Sequence, residues 1–144
     1  MKFDNQMTLT IDAKTKNESF ARTCVAAFCI EANPSLSELN DVKTAVSEAV
    51  TNSIVHGYEG NENGKITIAA GICGKELYVS ILDNGKGIEN IEEAKKPFFT
   101  SKPEQERSGM GFTVMETFMD TLLVKPNEEG GGLVVQMKKK FGGD

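Results

Sequence analysis

The stretch Pro34-Ser35-Leu36-Ser37-Glu38-Leu39-Asn40-Asp41-Val42-Lys43-Thr44-Ala45-Val46-Ser47-Glu48-Ala49-Val50-Thr51-Asn52-Ser53-Ile54-Val55-His56-Gly57-Tyr58 decides how this chain folds. Ser35 with Glu38 three positions later is a capping box, each side chain satisfying a free backbone N–H of the first helical turn. Gly57 marks a left-handed stop at the other end. Between these signals Leu39, Val42, Val46, Ala49, Val50 and Ser53 recur at helical spacing. At about 100° per residue they form one stripe. Glu48 projects opposite the centre of that stripe, and Asn52 lies one turn further along the same side, beside Thr44, Thr51 and Val55. Taken alone, a Glu-x-x-x-Asn pair reads as a solvated helix face. No Lys or Arg stands four residues from Glu48 to make an ordinary surface pair, so the rest of the chain must decide what that face does.

Working outward, 144 residues with 39% hydrophobic and 26% charged content set the expectation of one globular domain over 1–144. A net charge of −5 disfavours nucleic acid as a direct partner, since no surplus of cations exists to neutralise phosphates. The run Lys138-Lys139-Lys140 reads as a solvated strand end. No apolar run approaches a membrane span, so no membrane partner is expected, and the polar start of the chain shows no signal peptide. Cys24, Cys29 and Cys73 are odd in number, and neither their spacing nor the single His56 makes a zinc motif. They read as reduced core thiols of a cytoplasmic protein. His56, at the end of the long helix, reads as structural, favoured there by the helix dipole.

Before the long helix, Met7, Leu9 and Ile11 alternate with polar residues as a half-buried strand. Asn17 or Ser19 then opens a helix with Phe20, Cys24 and Phe28 on its apolar face and Arg22 projecting away from it. After turn chemistry over 57–64, two alternating runs (Ile66, Ile68, Ala70, Ile72 and Leu77, Val79, Ile81) make an antiparallel hairpin over 65–82. The second run leads straight into Asp83-Asn84-Gly85-Lys86-Gly87, which alone reads as a turn. Periodicity weakens over 88–108 apart from a short helix near 91–95, and a tract of that length inside a compact domain is either disordered or a functional lid. Ser108-Gly109-Met110-Gly111 then approaches a helix carrying Phe112, Met115, Phe118 and Met119. A glycine-rich approach of this kind leaves backbone N–H groups free for an anion such as phosphate. Leu122-Leu123-Val124 and Leu133-Val134-Val135 close the chain as two strands joined around 126–132.

Strands in antiparallel pairs and separate helices predict an α+β two-layer sandwich, with a mixed, mostly antiparallel sheet and helices on one face. Two glycine-rich sites flank a segment holding Lys102 and Arg107, a plausible cradle for a polyphosphate with cations to close over it. Neither a Gly-x-x-x-x-Gly-Lys-Ser/Thr loop nor a Gly-x-Gly-x-x-Gly after a strand is present, so phosphate binding here is of another kind.

Glu48-x-x-x-Asn52, then Asp83-x-Gly85-x-Gly87, then Gly109-x-Gly111, in that order, resemble the Bergerat-fold ATPases, a superfamily that includes gyrase and the histidine kinases. The runs Glu18-Ser19-Phe20-Ala21-Arg22, Ser47-Glu48-Ala49-Val50-Thr51-Asn52, Pro97-x-Phe99-Thr100-x-Lys102-Pro103 and Arg107-Ser108-Gly109-Met110-Gly111-Phe112 are more closely similar to the anti-sigma F factors of sporulating bacteria. That family holds a sporulation sigma factor inactive and, as a serine kinase, phosphorylates the anti-anti-sigma factor. The resemblance implies ATP and Mg2+ as cofactors and a homodimer. It implies Asp83 on the adenine amine, Gly85 and Gly87 giving the base close access, and Asn52 on the metal. Glu48 would be the general base, with Arg107 meeting the γ-phosphate. Thr100, Ser101, Lys102, Gly109 and Gly111 would make the lid and phosphate contacts, and Arg22 would face a partner protein. One departure stands out: many relatives carry a threonine after the glycines of the last hairpin, whereas this chain runs Gly130-Gly131-Gly132-Leu133-Val134. There the adenine pocket loses one hydrogen bond or uses water. A general stress-response anti-sigma kinase, a nucleotide-gated binding module without catalysis, and an ATP hydrolase or detached histidine-kinase domain are the competing readings.

Overall fold

A computed structural model describes residues 2–96 and 111–142. The long helix, α2 (Leu36–Asn52), begins as its sequence requires: Ser35 Oγ accepts the Glu38 N–H at 3.1 Å, and Glu38 Oε1 accepts the Ser35 N–H at 2.8 Å. Val42, Ala45, Val46, Ala49 and Val50 form its buried face. The helix does not stop in a left-handed Gly57. It widens into a π turn over Ser53–Gly57, in which the Tyr58 N–H reaches back five residues to the Ser53 carbonyl at 2.9 Å. Left-handed backbone arrives only at Glu59 (φ 52°) and Gly60 (φ 83°). The role of Gly57 is therefore steric and not a helix stop.

Five strands, β1 (Asn5–Asp12), β2 (Lys65–Cys73), β3 (Glu76–Asp83), β4 (Thr121–Pro126) and β5 (Leu133–Lys140), form one sheet in the order β1-β2-β3-β5-β4. Every pairing is antiparallel. The expected two-layer α+β architecture holds, and the mixed pairing allowed for from sequence does not occur among the described residues. Side chains alternate across a strand, so Ile66, Ile68, Ala70 and Ile72 of β2, Leu77, Val79 and Ile81 of β3, and Leu133, Val135 and Met137 of β5 share the face covered by helices. Burying each large aliphatic side chain of this set contributes about 1.5–3 kcal/mol.

The covering layer is α1 (Lys16–Phe28), α2 and α4 (Gly111–Phe118), with α1 and α4 both packed on α2. A single turn, α3 (Ile91–Ala94), is capped by the Asn90 side chain, which accepts the Glu93 N–H at 3.0 Å. The apolar face of α1 differs from the expectation by one residue. Ala21, Val25, Ala26 and Cys29 are buried, whereas Phe20 is 53% exposed and Cys24 and Phe28 are half-buried. One residue is about 100° of rotation. The small side chains of Ala21 and Val25 leave room for α1 to lie close against α2, which the larger Phe20 and Phe28 would not. The helix starts at Lys16 after Thr15, and Asn17 instead donates from Nδ2 to the Asp12 carbonyl at 3.0 Å.

Lys139 also departs from the solvated reading of its run. Period two puts it on the helix-facing side of β5, where Nζ donates to the Phe118 carbonyl at 2.8 Å and lies 3.5 Å from Asp41 Oδ2, leaving its side chain 11% exposed. A cation at the last turn of α4 meets the negative end of the helix dipole. It ties β5, α4 and α2 together. Lys138, on the outer face, stands 5.4 Å from the centre of the Tyr78 ring.

Two measurements test this framework. Glu38 accepts backbone N–H groups from Ser35 and from Gly142 (2.8 Å), which hold its pKa below the ordinary 4.5. A carboxylate with a depressed folded pKa stabilises above its unfolded pKa, and that stability is lost as the pH falls through the folded value. Glu38→Gln is expected to melt below the parent at neutral pH, with the gap closing as the pH falls below 4.5. Thermal melts across that range check it. Burial pushes the Cys29 thiol up to about 12, while Cys73 is exposed and so is not the core thiol expected from sequence. The thiolate is the reactive form, so a thiol reagent at neutral pH should label Cys73 at once and Cys29 only on unfolding, as mass spectrometry of the labelled peptides would show.

Candidate functional site

The inward row of β3 ends on a charged residue. Leu77, Val79 and Ile81 are followed on the same face by Asp83, which is 2% exposed. A buried carboxylate is stable only when it is hydrogen-bonded, and three donors converge on this one. Oδ1 accepts the Gly85 N–H at 3.0 Å and the Leu133 N–H at 3.2 Å, and Oδ2 accepts the Ser53 hydroxyl at 2.6 Å. No threonine follows the glycines of the β4–β5 hairpin, and Leu133 serves Asp83 through its backbone. That hairpin is held against the same point from the other side. Asn127 Nδ2 donates to the Asp83 carbonyl at 2.9 Å, and Asn84 Nδ2 donates to the Glu129 and Gly131 carbonyls at 2.8 and 3.0 Å.

The fit is tight at Gly57 and leaves no room for a side chain at Gly85. A Cβ on Gly57 would lie 3.2 Å from Asp83 Oδ2, and one on Gly85 would lie 2.8 Å from Gly57 Cα and nearer still to its carbonyl. That carbonyl accepts the Lys86 N–H at 2.9 Å, so the loop after β3 docks directly on the π turn. Gly87 follows with φ 74°. Asn52, His56, Gly57, Asp83, Gly87, Ile88 and Leu133 enclose a cleft of about 10 Å3, the room of roughly one water. Asn52 and Asp83, 31 positions apart in the chain, thus line one cleft. The Asn52 carboxamide has no hydrogen-bond partner among the described residues. His56 is 9% exposed in the π turn, so it is buried in the wall of the cleft, in keeping with its structural reading.

One turn before Asn52, Glu48 is half-buried between α2 and the start of α4. Its Oε2 lies 3.4 Å from where a Cβ on Gly111 would stand. The first backbone N–H groups of a helix have no partner within it, so the start of α4 is an electropositive neighbour for a carboxylate. On the other side of Glu48, Ser47 Oγ donates to Glu18 Oε2 at 2.6 Å, and Arg22 Nη1 reaches Glu18 Oε2 at 2.5 Å and Ser47 Oγ at 3.4 Å. Arg22 therefore does not stand free on the surface: it is pinned, and its side chain is 35% exposed. Arg22, Asn40, Lys43, Thr44, Ser47 and Glu48 line a groove of about 300 Å3, which brings Arg22 and Glu48 to one surface.

The structure thus brings Glu48, Asn52, Asp83, Gly85, Gly87 and Gly111 to one side of α2 and places Arg22 on the adjoining groove. Thr100, Ser101, Lys102, Arg107 and Gly109 lie outside the described residues. Ser53 and Gly57 were not read as site residues, although both touch Asp83. The available signal was a hydroxyl inside an otherwise apolar stripe. Among the described residues no group of three or more His, Cys, Asp and Glu side chains could hold a metal ion, and no helix is long and apolar enough to cross a membrane.

Comparison with known proteins gives the family. The family model described as "Histidine kinase-like ATPase domain" matches residues 11–139. Curated relatives named "Anti-sigma F factor" match over nearly their full length. The protein from Clostridium botulinum (strain Eklund 17B / Type B) is 57% identical over 139 residues, covering 96% of each chain. That of Clostridium kluyveri (strain ATCC 8527) is 59% identical over 139 residues, again covering 96% of each. That of Clostridium perfringens (strain SM101 / Type A) is 57% identical over 138, covering 96% of this chain and 98% of that one. Among solved structures, the RsbU and RsbW domains of Rv1364c from Mycobacterium tuberculosis superpose with a TM-score of 0.66 at 19% identity, covering 95% of this chain and 32% of that one. The catalytic domain of histidine kinase ThkA superposes with a TM-score of 0.58 at 18% identity over 98% of each. The two structures speak for the fold alone. With the family model across most of its length and relatives well above half identical, the chain belongs to the anti-sigma F factor family, within the histidine kinase-like ATPase domains.

Proposed function

We propose that this chain is an anti-sigma factor that binds and inhibits a sporulation sigma factor and, as an ATP-dependent serine kinase, phosphorylates and so inactivates the anti-anti-sigma factor. The observation that carries the kinase reading is the position of Glu48. It is a half-buried carboxylate at the start of α4, one turn from Asn52, and it opens onto the groove that also holds Arg22. A module that only bound nucleotide would have no use for a base there.

In this reading the Asp83 carboxylate accepts the N–H of the adenine amine, which distinguishes adenine from guanine, and Gly85 and Gly87 leave the base room to approach the backbone. The cleft must widen to seat it. Asn52 suits Mg2+, because that ion takes oxygen ligands, keeps several waters and is typically held by one or two protein groups plus phosphates. The Asn52 oxygen is engaged in no other hydrogen bond among the described residues. When bound, Mg2+ supplies positive charge that offsets the charge on the phosphates. Glu48 takes the proton from the acceptor serine hydroxyl as that oxygen attacks the γ-phosphorus, and the bond from that phosphorus to the β,γ-bridging oxygen breaks to release ADP; a base in this role contributes about 10²–10⁴-fold in rate. In this reading the backbone N–H groups at the start of α4 face the phosphates. Thr100, Ser101, Lys102 and Gly109 complete the phosphate contacts, with Arg107 at the γ-phosphate. Arg22, held by Glu18 and Ser47, presents a fixed cation to the protein partner. The chain works as one unit over 1–144, as a homodimer, in the cytoplasm.

The direct test is incubation with γ-labelled ATP, Mg2+ and the anti-anti-sigma factor, and label is expected on a serine of that protein. No transfer would remove the kinase reading and leave a nucleotide-gated binder. Glu48→Gln is expected to retain ATP and sigma-factor binding while phosphotransfer falls by about 10²-fold or more; full activity would return Glu48 to a solvated face. Asp83→Asn is expected to weaken ATP binding by about tenfold or more through loss of a hydrogen bond to a charged acceptor. Calorimetry checks this, and an unchanged dissociation constant would put the base elsewhere.

A further inference from the structure

Asp83 is held on its Oδ2 side by Ser53, the hydroxyl in the apolar stripe of the long helix. We propose that Ser53 is a positioning residue of the nucleotide site: its hydroxyl orients the Asp83 carboxylate so that one acceptor position of Oδ2 stays open for the exocyclic amine of the base. This rests on the reading of Asp83 as the group that meets that amine.

A carboxylate offers about four acceptor positions. The Gly85 and Leu133 N–H groups occupy Oδ1, and the Ser53 hydroxyl takes one position on Oδ2. One remains on Oδ2, beside a cleft lined by Asn52, His56, Gly87, Ile88 and Leu133. The Ser53–Asp83 contact of 2.6 Å has the length of a charge-assisted hydrogen bond, about twice as strong as a neutral one. Ser53 is itself 2% exposed, so water does not compete for its donor.

The hydroxyl makes this bond in place of its usual one. Ser and Thr in helices commonly donate to the carbonyl four residues back, as Thr44 does to the Asn40 carbonyl at 2.9 Å and Thr117 to the Thr113 carbonyl at 2.8 Å. Ser53 instead donates across the fold to a residue 30 positions away. The local backbone supports that choice. Ser53 opens the π turn, and π turns are rare and concentrate at functional sites. The widened turn sets Ser53 and Gly57 against the same carboxylate, Gly57 so closely that a Cβ there would stand 3.2 Å from Oδ2 and press on it. Without the Ser53 donor, Oδ1 stays anchored but Oδ2 has no hydrogen-bond donor among the described residues, and the broad torsion of the carboxylate is less restrained before the base arrives.

The test pairs a change in the protein with a change in the ligand. Binding of ADP and of purine riboside diphosphate, which lacks the exocyclic amine, is measured by calorimetry on the parent, Ser53→Ala and Asp83→Asn, with melting temperatures taken without nucleotide. Ser53→Ala is expected to weaken ADP by about fivefold to tenfold, the range of one hydrogen bond, and purine riboside diphosphate by less than about twofold. Equal losses for both ligands would make Ser53 a scaffold residue and overturn the proposal. An unchanged ADP affinity in Ser53→Ala, with a loss in Asp83→Asn, would overturn it while leaving the Asp83 reading intact. If Asp83→Asn loses nothing, the Asp83 reading falls and takes the proposal with it. Should Ser53→Ala unfold, Ser53→Cys fills the same space with a weak S–H donor. It is expected to show a smaller loss that is again confined to ADP, and a loss shared by both ligands would overturn the proposal.

Discussion

The buried carboxylate of Asp83 is the constraint on which the rest of this structure depends. A charge taken out of water costs several kcal/mol unless hydrogen bonds replace its hydration. Here those bonds come from three separate parts of the chain: the π turn after α2, the loop after β3, and the start of β5. None of the three can move independently without leaving the carboxylate short of a donor. The site geometry is therefore set by a polar joint and not by the apolar core beneath it. Gly57 and Gly85 are the steric counterpart of that joint: a side chain at Gly85 would push the loop off the turn, and one at Gly57 would crowd the Asp83 carboxylate.

From Asp83 the functional face runs back along α2. Asn52 lines the same cleft, Glu48 lies one turn earlier beside the first residue of α4, and Ser47 carries the line to Glu18 and Arg22 on α1. One rigid helix thus spaces the base pocket, the metal ligand, the general base and the partner-facing cation of the proposed reaction. The opposite face of α2 supplies core. Lys139 braces the arrangement from the sheet by meeting both Asp41 of α2 and the end of α4. Its position explains why a run of three lysines at a strand end is not uniformly solvated.

Much of the fold was legible because it follows from local patterns. The capping box of Ser35 and Glu38, the alternation in β2 and β3, and the apolar stripe of α2 each depend on neighbours within one or two turns or a strand's length. The readings that shifted depend on packing. The buried face of α1 moved by one residue, since Ala21 and Val25 let the helices approach where Phe20 and Phe28 would not. Lys139 turned inward, and Cys73 proved exposed, because strand faces are assigned by the layer that covers them. Gly57 was legible as important and misread in kind: its φ is ordinary, and its lack of a side chain is what the Asp83 contact requires.

By itself the sequence determined the elements, their order, and the spacing of Glu48, Asn52, Asp83 and the glycines, because helical and strand periodicities carry that information within short windows. Only the tertiary structure decided which groups complete the site. Ser53 meets Asp83 across 30 residues, and Leu133 does so across 50. A hydroxyl in an apolar stripe does not name its partner, and a backbone N–H at a strand start has no signature at all, until the fold brings a buried charge to them. The physical reason is that a carboxylate removed from water must be satisfied wherever the chain can supply donors, and the supply is set by how the layers meet.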